Sequence, residues 1–567
     1  MRRIIDYIWS HKLLLLIIIP AFFLYMLVIF PSGSYFCFEG ECGYYFWGVH
    51  GRDAIWHLAI AETSFNKFPF VAPTFVGGHL YGYNWLLDFI IFLLSKLGIP
   101  PLISYFKLIP VVWFIFFTIL LSTLARKIID SPLFVGIFLF FSYFAGSFSY
   151  FFTLYYSKNL QNSSTLLPQS IMHTMSNLQY AVSLLFFIIL LILVKDKKIN
   201  KKIITISGIL IFFMLGIKFY GALIGIFLLT LYLIVNISKI KIKNFLVYSF
   251  VISAFVLIGL FLFYDPLSTS KTGSTFSLIP FALVHTITES PDQFYLQKMT
   301  DARYFLQQFG IGPRLIAIEL INLLIFLFFY LGTRFFGLLY VTILLVRKQL
   351  DKFDFVVIST ILFSILLTVS LVQKGVWWNV VQFFFYAIFL STIYLARLTY
   401  DFFKSKRKFF LSSGLILILL SVPTSYDLIW HFLKVSKSTY LPKGEIDALT
   451  FLKKQPDGVV FTPLYKKGWK EQQKNPPLNQ YEDSSYVSAF SGKQQYLAEI
   501  QSMSVTSIPF EKRLEKVRKM DCSILNEVNY VYELKELTKK DKILSRCSRR
   551  NVIKIYNGAS VSIYKLE

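Results

Sequence analysis

Residues 50–62 read His50-Gly-Arg-Asp53-Ala-Ile-Trp-His57-Leu-Ala-Ile-Ala-Glu62, placing five titratable side chains in a short stretch of a chain that is only 16% charged. Ile55, Leu58 and Ala59 have helical spacing, so a helix is expected to begin near Asp53 and to carry Asp53 and His57 on one face. A carboxylate in a partly dry site, where its pKa rises, can take a proton from an attacking group. Asp53 is therefore the first catalytic candidate and His57 the second. The same two side chains are a candidate metal pair, although two ligands are fewer than most metal sites use. The plainer job of an aspartate at a helix start is to cap the first turn. Two features point further. The run lies about twenty residues past the first apolar segment, against a membrane surface. It also faces an aromatic wall of Tyr44, Tyr45, Phe46, Trp47 and Trp56, and His79 follows in a chain with only 7 histidines.

The second kind of chemistry is cationic. Lys218 interrupts an apolar stretch of about 35 residues, and an ionisable group in such a setting is a functional candidate by default. Snorkelling to lipid headgroups is the plain alternative. His173, His285, Lys298, Arg303 and Arg314 are further cations expected on the same side, beside the segment His285-Thr-Ile-Thr-Glu289-Ser-Pro-Asp292-Gln-Phe-Tyr295. Such groups could meet an anionic donor or its acceptor. Trp377 and Trp378 read as interfacial anchors or as stacking platforms for sugars, with the aromatic belt slightly favoured.

These residues need a membrane frame to hold them. The chain has 567 residues, is 55% hydrophobic and 18% aromatic, and contains many uncharged runs. Runs at 13–30, 245–264 and 355–372 can cross about 30 Å of hydrocarbon as helices. A soluble enzyme, a disordered chain and a membrane β-barrel are excluded. The expected class is a polytopic α-helical membrane protein. Its 57 Lys+Arg against 32 Asp+Glu reads as the basic bias of cytoplasmic loops and not as a nucleic-acid surface.

Placing every basic cluster inside gives one path. The clusters are Met1-Arg-Arg with Lys12, Arg126-Lys127, Lys195 to Lys202, Lys239 to Lys243, Arg347 to Lys352, and Lys404 to Lys408. The crossings are 13–30, 105–125, 133–150, 178–194, 203–217, 222–236, 245–264, 315–346, 355–372, 380–396 and 409–427. That makes about eleven, with an uncleaved signal anchor first, the N-terminus cytoplasmic and the C-terminal region outside the plasma membrane. Residues 83–97 are apolar but short and contain Asp88, so they are read as an interfacial or re-entrant helix. Residues 315–346 carry Arg334 and are read as either one long tilted helix or two short ones, with parity favouring one. Outer segments 31–104, 151–177 and 265–314 are too long for simple connectors. The domains are then 1–430, a transmembrane domain bearing these loops, and 431–567, an extracytoplasmic soluble α/β domain. Strand-like runs at 458–462, 529–532 and 559–565 alternate there with helical patches at 445–454 and 510–520. All four cysteines, Cys37, Cys42, Cys522 and Cys547, fall outside on this path. An outer compartment permits disulfides, and Cys37–Cys42 and Cys522–Cys547 are the candidate pairs, with unpaired thiols as the alternative.

The layout resembles the GT-C glycosyltransferases, polytopic enzymes that use polyprenyl-phosphate-linked sugars and include protein O-mannosyltransferases and aminoarabinose transferases. The resemblance covers the whole chain in arrangement. It is carried by the acidic residue opening a juxtamembrane helix, Pro69-Phe-Val-Ala-Pro73, Gly77-Gly78-His-Leu-Tyr-Gly-Tyr-Asn84, Asn177-Leu-Gln-Tyr180, Gly216-Ile-Lys218-Phe-Tyr220-Gly221, and Gln373-Lys-Gly-Val-Trp-Trp-Asn379 with Gln382. It implies transfer of a sugar from a polyprenyl-phosphate donor to a glycan, lipid or protein acceptor at the outer face. Asp53 would be the base, with Lys218, Tyr220, His173, His285 and Arg303 binding donor phosphate or substrate. A divalent metal, Mg or Mn, is a candidate cofactor, but the acidic pair common in the family is absent because alanine follows Asp53. The segment Tyr486-Val-Ser-Ala-Phe-Ser-Gly492-Lys-Gln-Gln-Tyr496 resembles part of such transferases' tails.

The sequence lacks a Gly-x-x-x-x-Gly-Lys-[Ser/Thr] phosphate loop, a Rossmann glycine fingerprint and a His-Glu-x-x-His pair. That argues against a nucleotide-driven pump and a zinc protease. No two similar halves are apparent, which weighs modestly against a secondary transporter. A transporter of lipid-linked glycans or small solutes, and a non-catalytic membrane assembly protein, are the competing readings.

Overall fold

The computed structural model describes residues 2–567 apart from 168–169, 197–198, 270–274, 292, 406, 465–474, 482, 507 and 548–550. Lys197, Lys198 and Lys406 of the basic clusters, and Asp292, therefore lie outside the described residues. The chain forms two compact units, Met1–Val28 with Val111–Gly259 and Phe276–Leu433, and Ile29–Pro110 with Leu260–Thr275 and Lys434–Glu567. The expected division at residue 430 differs from this, because segment 31–104 is counted with the tail.

The first unit is a helical bundle. A helix apolar on every side is stable only where neighbours cover it, and Trp377–Lys404 is such a helix, with 94% of its apolar window buried. Ile242–Tyr264 is more apolar still but only 11% buried, as a helix presented to lipid would be. Seven helices among the described residues are long and apolar enough to cross a membrane, or eight if Arg3–Trp9 and Leu14–Ile29, bent by 100°, are one span. The expected path has about eleven crossings; the three beyond these eight, 133–150, 203–217 and 222–236, fall on shorter apolar helices, Pro132–Phe144, Lys201–Ile217 and Phe219–Val235.

The single long helix favoured over 315–346 is corrected. It folds as two, Pro313–Leu331 and Arg334–Val346. Gly332 lies between them at φ +58°, and a Cβ there would sit 2.4 Å from the Gly146 carbonyl, so only glycine fits. Arg334 is 1% exposed. It donates from Nη2 to the Ala145 carbonyl at 2.8 Å and to Ser170 Oγ at 2.7 Å, and from Nε to Thr392 Oγ1 at 2.9 Å. Residue 315–346 hydropathy contains no trace of these partners.

The second unit is built on two sheets. Glu41–Trp47 runs antiparallel between Ser34–Phe38 and Ser438–Pro442, so a strand of the tail completes the hairpin of the first loop. Cys37 and Cys42 face each other across that hairpin and are disulfide-bonded. The second sheet has Val459–Phe461 parallel to both Gln494–Gln495 and Tyr530–Leu534. Antiparallel Val561–Leu566 and Val552–Asn557 follow. Helices Lys443–Lys453 and Glu511–Lys519 stand where helical patches are expected. A second disulfide joins Cys522 to Cys547.

Within this sheet domain Glu445 is buried, with no cationic partner among the described residues. Its carboxyl oxygens accept from the Tyr532 hydroxyl at 2.7 Å and from Asn479 Nδ2 at 3.3 Å. Burial pushes it up to about 7, against the pull of these hydrogen bonds. The native state therefore keeps a proton that the unfolded chain releases above about pH 4.5. Stability is highest below that pH and falls as pH rises to about 7, by about 3 kcal/mol in all. Hydrogen exchange of Tyr530–Leu534 should accelerate between pH 5 and pH 8 beyond the intrinsic rate. Glu445→Gln should remove that excess; an unchanged pH profile in the variant would refute the assignment.

Candidate active site

The helix Asp53–Thr63 starts where the chain leaves the first sheet. Gly51, just before it, packs so closely that a Cβ would lie 2.4 Å from Thr439 Cγ2. Arg52 then turns at φ −130°, and Asp53 opens the helix as an exposed residue in its first turn. The Arg52 N-cap itself makes no side-chain capping bond. A negative charge at this end is favoured by the helix dipole.

One turn on, His57 is 5% exposed. Its Nδ1 lies 3.0 and 3.1 Å from the two carboxyl oxygens of Asp88, in the helix Leu86–Lys96. Asp88 itself is fully buried. An acceptor-only carboxylate fixes the proton on Nδ1, which turns Nε2 toward the Tyr83 hydroxyl, 3.4 Å away. Burial first, then the carboxylates of Asp88 and Asp53, push the Tyr83 phenol well above its usual value. Tyr83 therefore stays a hydrogen-bond donor. The Tyr105 ring stacks on His57 at 6.2 Å. His57 is thus enclosed by its own partners, whereas Asp53 is open.

The tail supplies the other wall. Arg52 donates from Nε and Nη2 to Glu499 Oε1 at 3.2 and 3.0 Å. Burial pushes the Glu499 carboxyl up against the opposing pull of Arg52, with Asp483 and Asp53 adding to the rise. Asp483 accepts the backbone N–H groups of Glu499 and Ile500 at 3.0 and 2.8 Å. The helix Tyr486–Ser491 of the tail packs on Asp53–Thr63. Thr63 Oγ1 donates to the Ser488 carbonyl at 3.3 Å and Ser488 Oγ to the Pro73 carbonyl at 2.8 Å.

The remaining sequence candidates belong to the first unit and form separate groups. Lys218 is 7% exposed and sits at the joint between Lys201–Ile217 and Phe219–Val235. Its Nζ lies 5.6 Å from the Tyr220 ring centroid. The Tyr220 hydroxyl donates to Gln373 Oε1, and Asn379 Nδ2 reaches both at 3.1 and 2.8 Å. The two motifs around 218 and 373 are therefore one cluster. Elsewhere His173 stacks on Phe385 at 4.3 Å. Burial, reinforced by Arg334, holds it well below its usual value. Arg303 and His285 are already matched, Arg303 Nε to Glu289 Oε1 at 2.7 Å and His285 Nε2 to Glu319 Oε2 at 2.6 Å.

A divalent metal fits this site poorly. Magnesium and manganese prefer oxygen ligands, and the expected pair offers one carboxylate and a histidine whose Nδ1 is taken by Asp88. No group of three or more His, Cys, Asp or Glu able to hold a metal occurs among the described residues. No step is routed through a metal here. The sequence points to Asp53 and His57 but not to Asp88, Arg52, Asp483 or Glu499. The one available signal was Asp88 itself, a carboxylate in an apolar helix.

Two solved structures are similar to this chain. One is the archaeal oligosaccharyltransferase AglB from Archaeoglobus fulgidus in complex with an inhibitory peptide and a dolichol-phosphate, at 14% identity over 93% of this chain and 70% of its own, with a TM-score of 0.49. The other is the Archaeoglobus fulgidus oligosaccharyltransferase in the apo form, at 13% identity over 92% of this chain and 69% of its own, also with a TM-score of 0.49. No family model and no curated protein matches the sequence.

Proposed function

We propose that this protein is a multi-pass membrane glycosyltransferase that moves a sugar from a polyprenyl-phosphate-linked donor to an acceptor at the outer membrane face. The observation that carries the reading is Asp53, an exposed carboxylate held on a helix whose next turn is locked by the buried His57–Asp88 pair. In the proposed step the Asp53 carboxylate takes the proton from the acceptor nucleophile. The nucleophile bonds to the anomeric carbon as the bond from that carbon to the phosphate oxygen breaks, and the electron pair leaves with the phosphate. His57 and Asp88 are positioning residues, since neither is open to substrate. Lys218 is the proposed phosphate partner, in the other unit.

The test uses purified protein in liposomes with a panel of radiolabelled polyprenyl-phosphate sugars and a membrane extract as acceptor. Label moving from the lipid fraction to a new product, with polyprenyl phosphate released, is the expected result. Intact donor throughout, with labelled lipid crossing the bilayer instead, would overturn the reading in favour of a transporter. Lys218→Met should raise the donor KM by about tenfold, the value of one charge-assisted contact of about 1.4 kcal/mol. If Lys218 only snorkels to headgroups, KM should not change.

A further inference from the structure

Asp53 has a cation as its chain neighbour, and that cation is held by an acid 447 positions away. Glu499 is 1% exposed, and its Oε1 takes both the Nε and the Nη2 donors of Arg52. Ser502 Oγ donates to the same oxygen at 3.2 Å. The Glu499 backbone is left-handed, at φ +54°, a conformation that a residue with a side chain keeps only where its surroundings hold it. The holding group is Asp483, whose two oxygens accept the N–H groups of Glu499 and Ile500. An apolar side chain could brace the same backbone without the cost of burying an acid. The arrangement therefore points to the charge that Glu499 can place against Arg52.

A cation fixed beside a carboxylate favours its charged form and so weakens it as a base. Arg52 stands in that relation to Asp53. An ionised Glu499 offsets the guanidinium, whereas a protonated Glu499 leaves its charge whole. Among the described residues the charged groups acting on Glu499 are Arg52 and Asp53, from the start of the Asp53–Thr63 helix, and Asp483, from the segment before Tyr486–Ser491. Glu482, next to Asp483, lies outside the described residues. Burial, opposed by Arg52 and reinforced by Asp483 and Asp53, pushes Glu499 up to about 8. Its negative charge therefore appears as pH rises through about 8. Interaction between two titrating groups is mutual, so as Asp53 raises Glu499, an ionised Glu499 strengthens Asp53 as a base. We infer that Glu499 is a positioning residue for the transfer step: acting through Arg52, it sets how strongly the Asp53 carboxylate draws the proton from the acceptor. The inference rests on the reading of Asp53 as the base.

The test is the pH profile of kcat for label transfer by the full-length protein in liposomes, from about pH 6.5 to about pH 9.5. Wild-type kcat should rise about threefold to tenfold, with its midpoint near pH 8. Glu499→Gln keeps an acceptor for Arg52 but not the charge, so its profile should stay flat at the low wild-type level, with donor KM unchanged. Arg52→Gln/Glu499→Gln removes both charges and should recover kcat toward the alkaline wild-type level, again without pH dependence. A pair that serves only to hold the fold predicts the reverse, a double variant no better than Glu499→Gln. Arg52→Gln alone should flatten the profile by moving the rise to higher pH, and it serves if Glu499→Gln does not fold. The inference is overturned if the pH rise survives in Glu499→Gln, or if the double variant is no faster than Glu499→Gln. Asp53→Asn separates the two failures. Transfer lost in that variant while Glu499→Gln keeps the wild-type profile removes Glu499 and leaves the base. Transfer unaffected by Asp53→Asn, or absent from the wild-type protein, removes the base and this inference with it.

Discussion

Asp53→Asn should lower sugar transfer by about a hundredfold to ten-thousandfold, the usual contribution of a general base, while protein yield and helix content stay at wild-type levels. The substitution is nearly isosteric and the residue is exposed. The helix dipole still meets a polar group at this end, and the lost charge costs a few tenths of a kcal/mol there. The readout is the initial rate of label transfer in liposomes, with circular dichroism and detergent-solution monodispersity as controls. Full activity in a well-folded Asp53→Asn protein would remove this carboxylate from the mechanism. Asp53→Glu should retain more activity than Asp53→Asn, because it keeps the base but displaces it by one methylene.

His57→Ala should loosen the same site by about 3–5 kcal/mol, the cost of leaving one member of a buried pair behind. The substitution strips the fully buried Asp88 of the His57 Nδ1–H shared between its two oxygens. Hydrogen exchange in Asp53–Thr63 and Leu86–Lys96 is the suitable measurement, since it reports this region and not the whole chain. The double variant His57→Ala/Asp88→Leu should exchange more slowly than His57→Ala alone, because it removes the stranded carboxylate. Additive losses in the double variant would mean that the two side chains do not act as a pair.

The sequence made the class of protein legible for a simple physical reason. Long uncharged runs have no stable home in water, and most of them fold as the expected helices. The tail's strand-like runs at 458–462, 529–532 and 559–565 likewise coincide with strands at Val459–Phe461, Tyr530–Leu534 and Val561–Leu566. Hydropathy failed at 315–346 because a run of apolar residues says nothing of a left-handed glycine. Nor does it reveal that Arg334 finds backbone carbonyls some 190 positions away, at Ala145 (separation 189). At the site, local spacing correctly put Asp53 at a helix start with His57 one turn on. It could not show that His57 faces inward, because Ala54 through Ala61 are buried on every side and the helix has no polar face to mark the outside. The partners were hidden by distance along the chain: Asp88 is 31 residues from His57 and Glu499 is 447 from Arg52.

That last separation has a consequence for how the protein is made. A ribosome adding about 5–20 residues per second needs roughly 20–90 s to travel the 447 positions from Arg52 to Glu499. Throughout that interval the emerging chain already displays the Asp53 helix, while the strand Ser438–Pro442 and the Tyr486–Ser491 helix that clasp it have yet to be synthesised. The Arg52–Glu499 contact beside the proposed base can therefore form only after nearly the whole polypeptide has left the translation machinery.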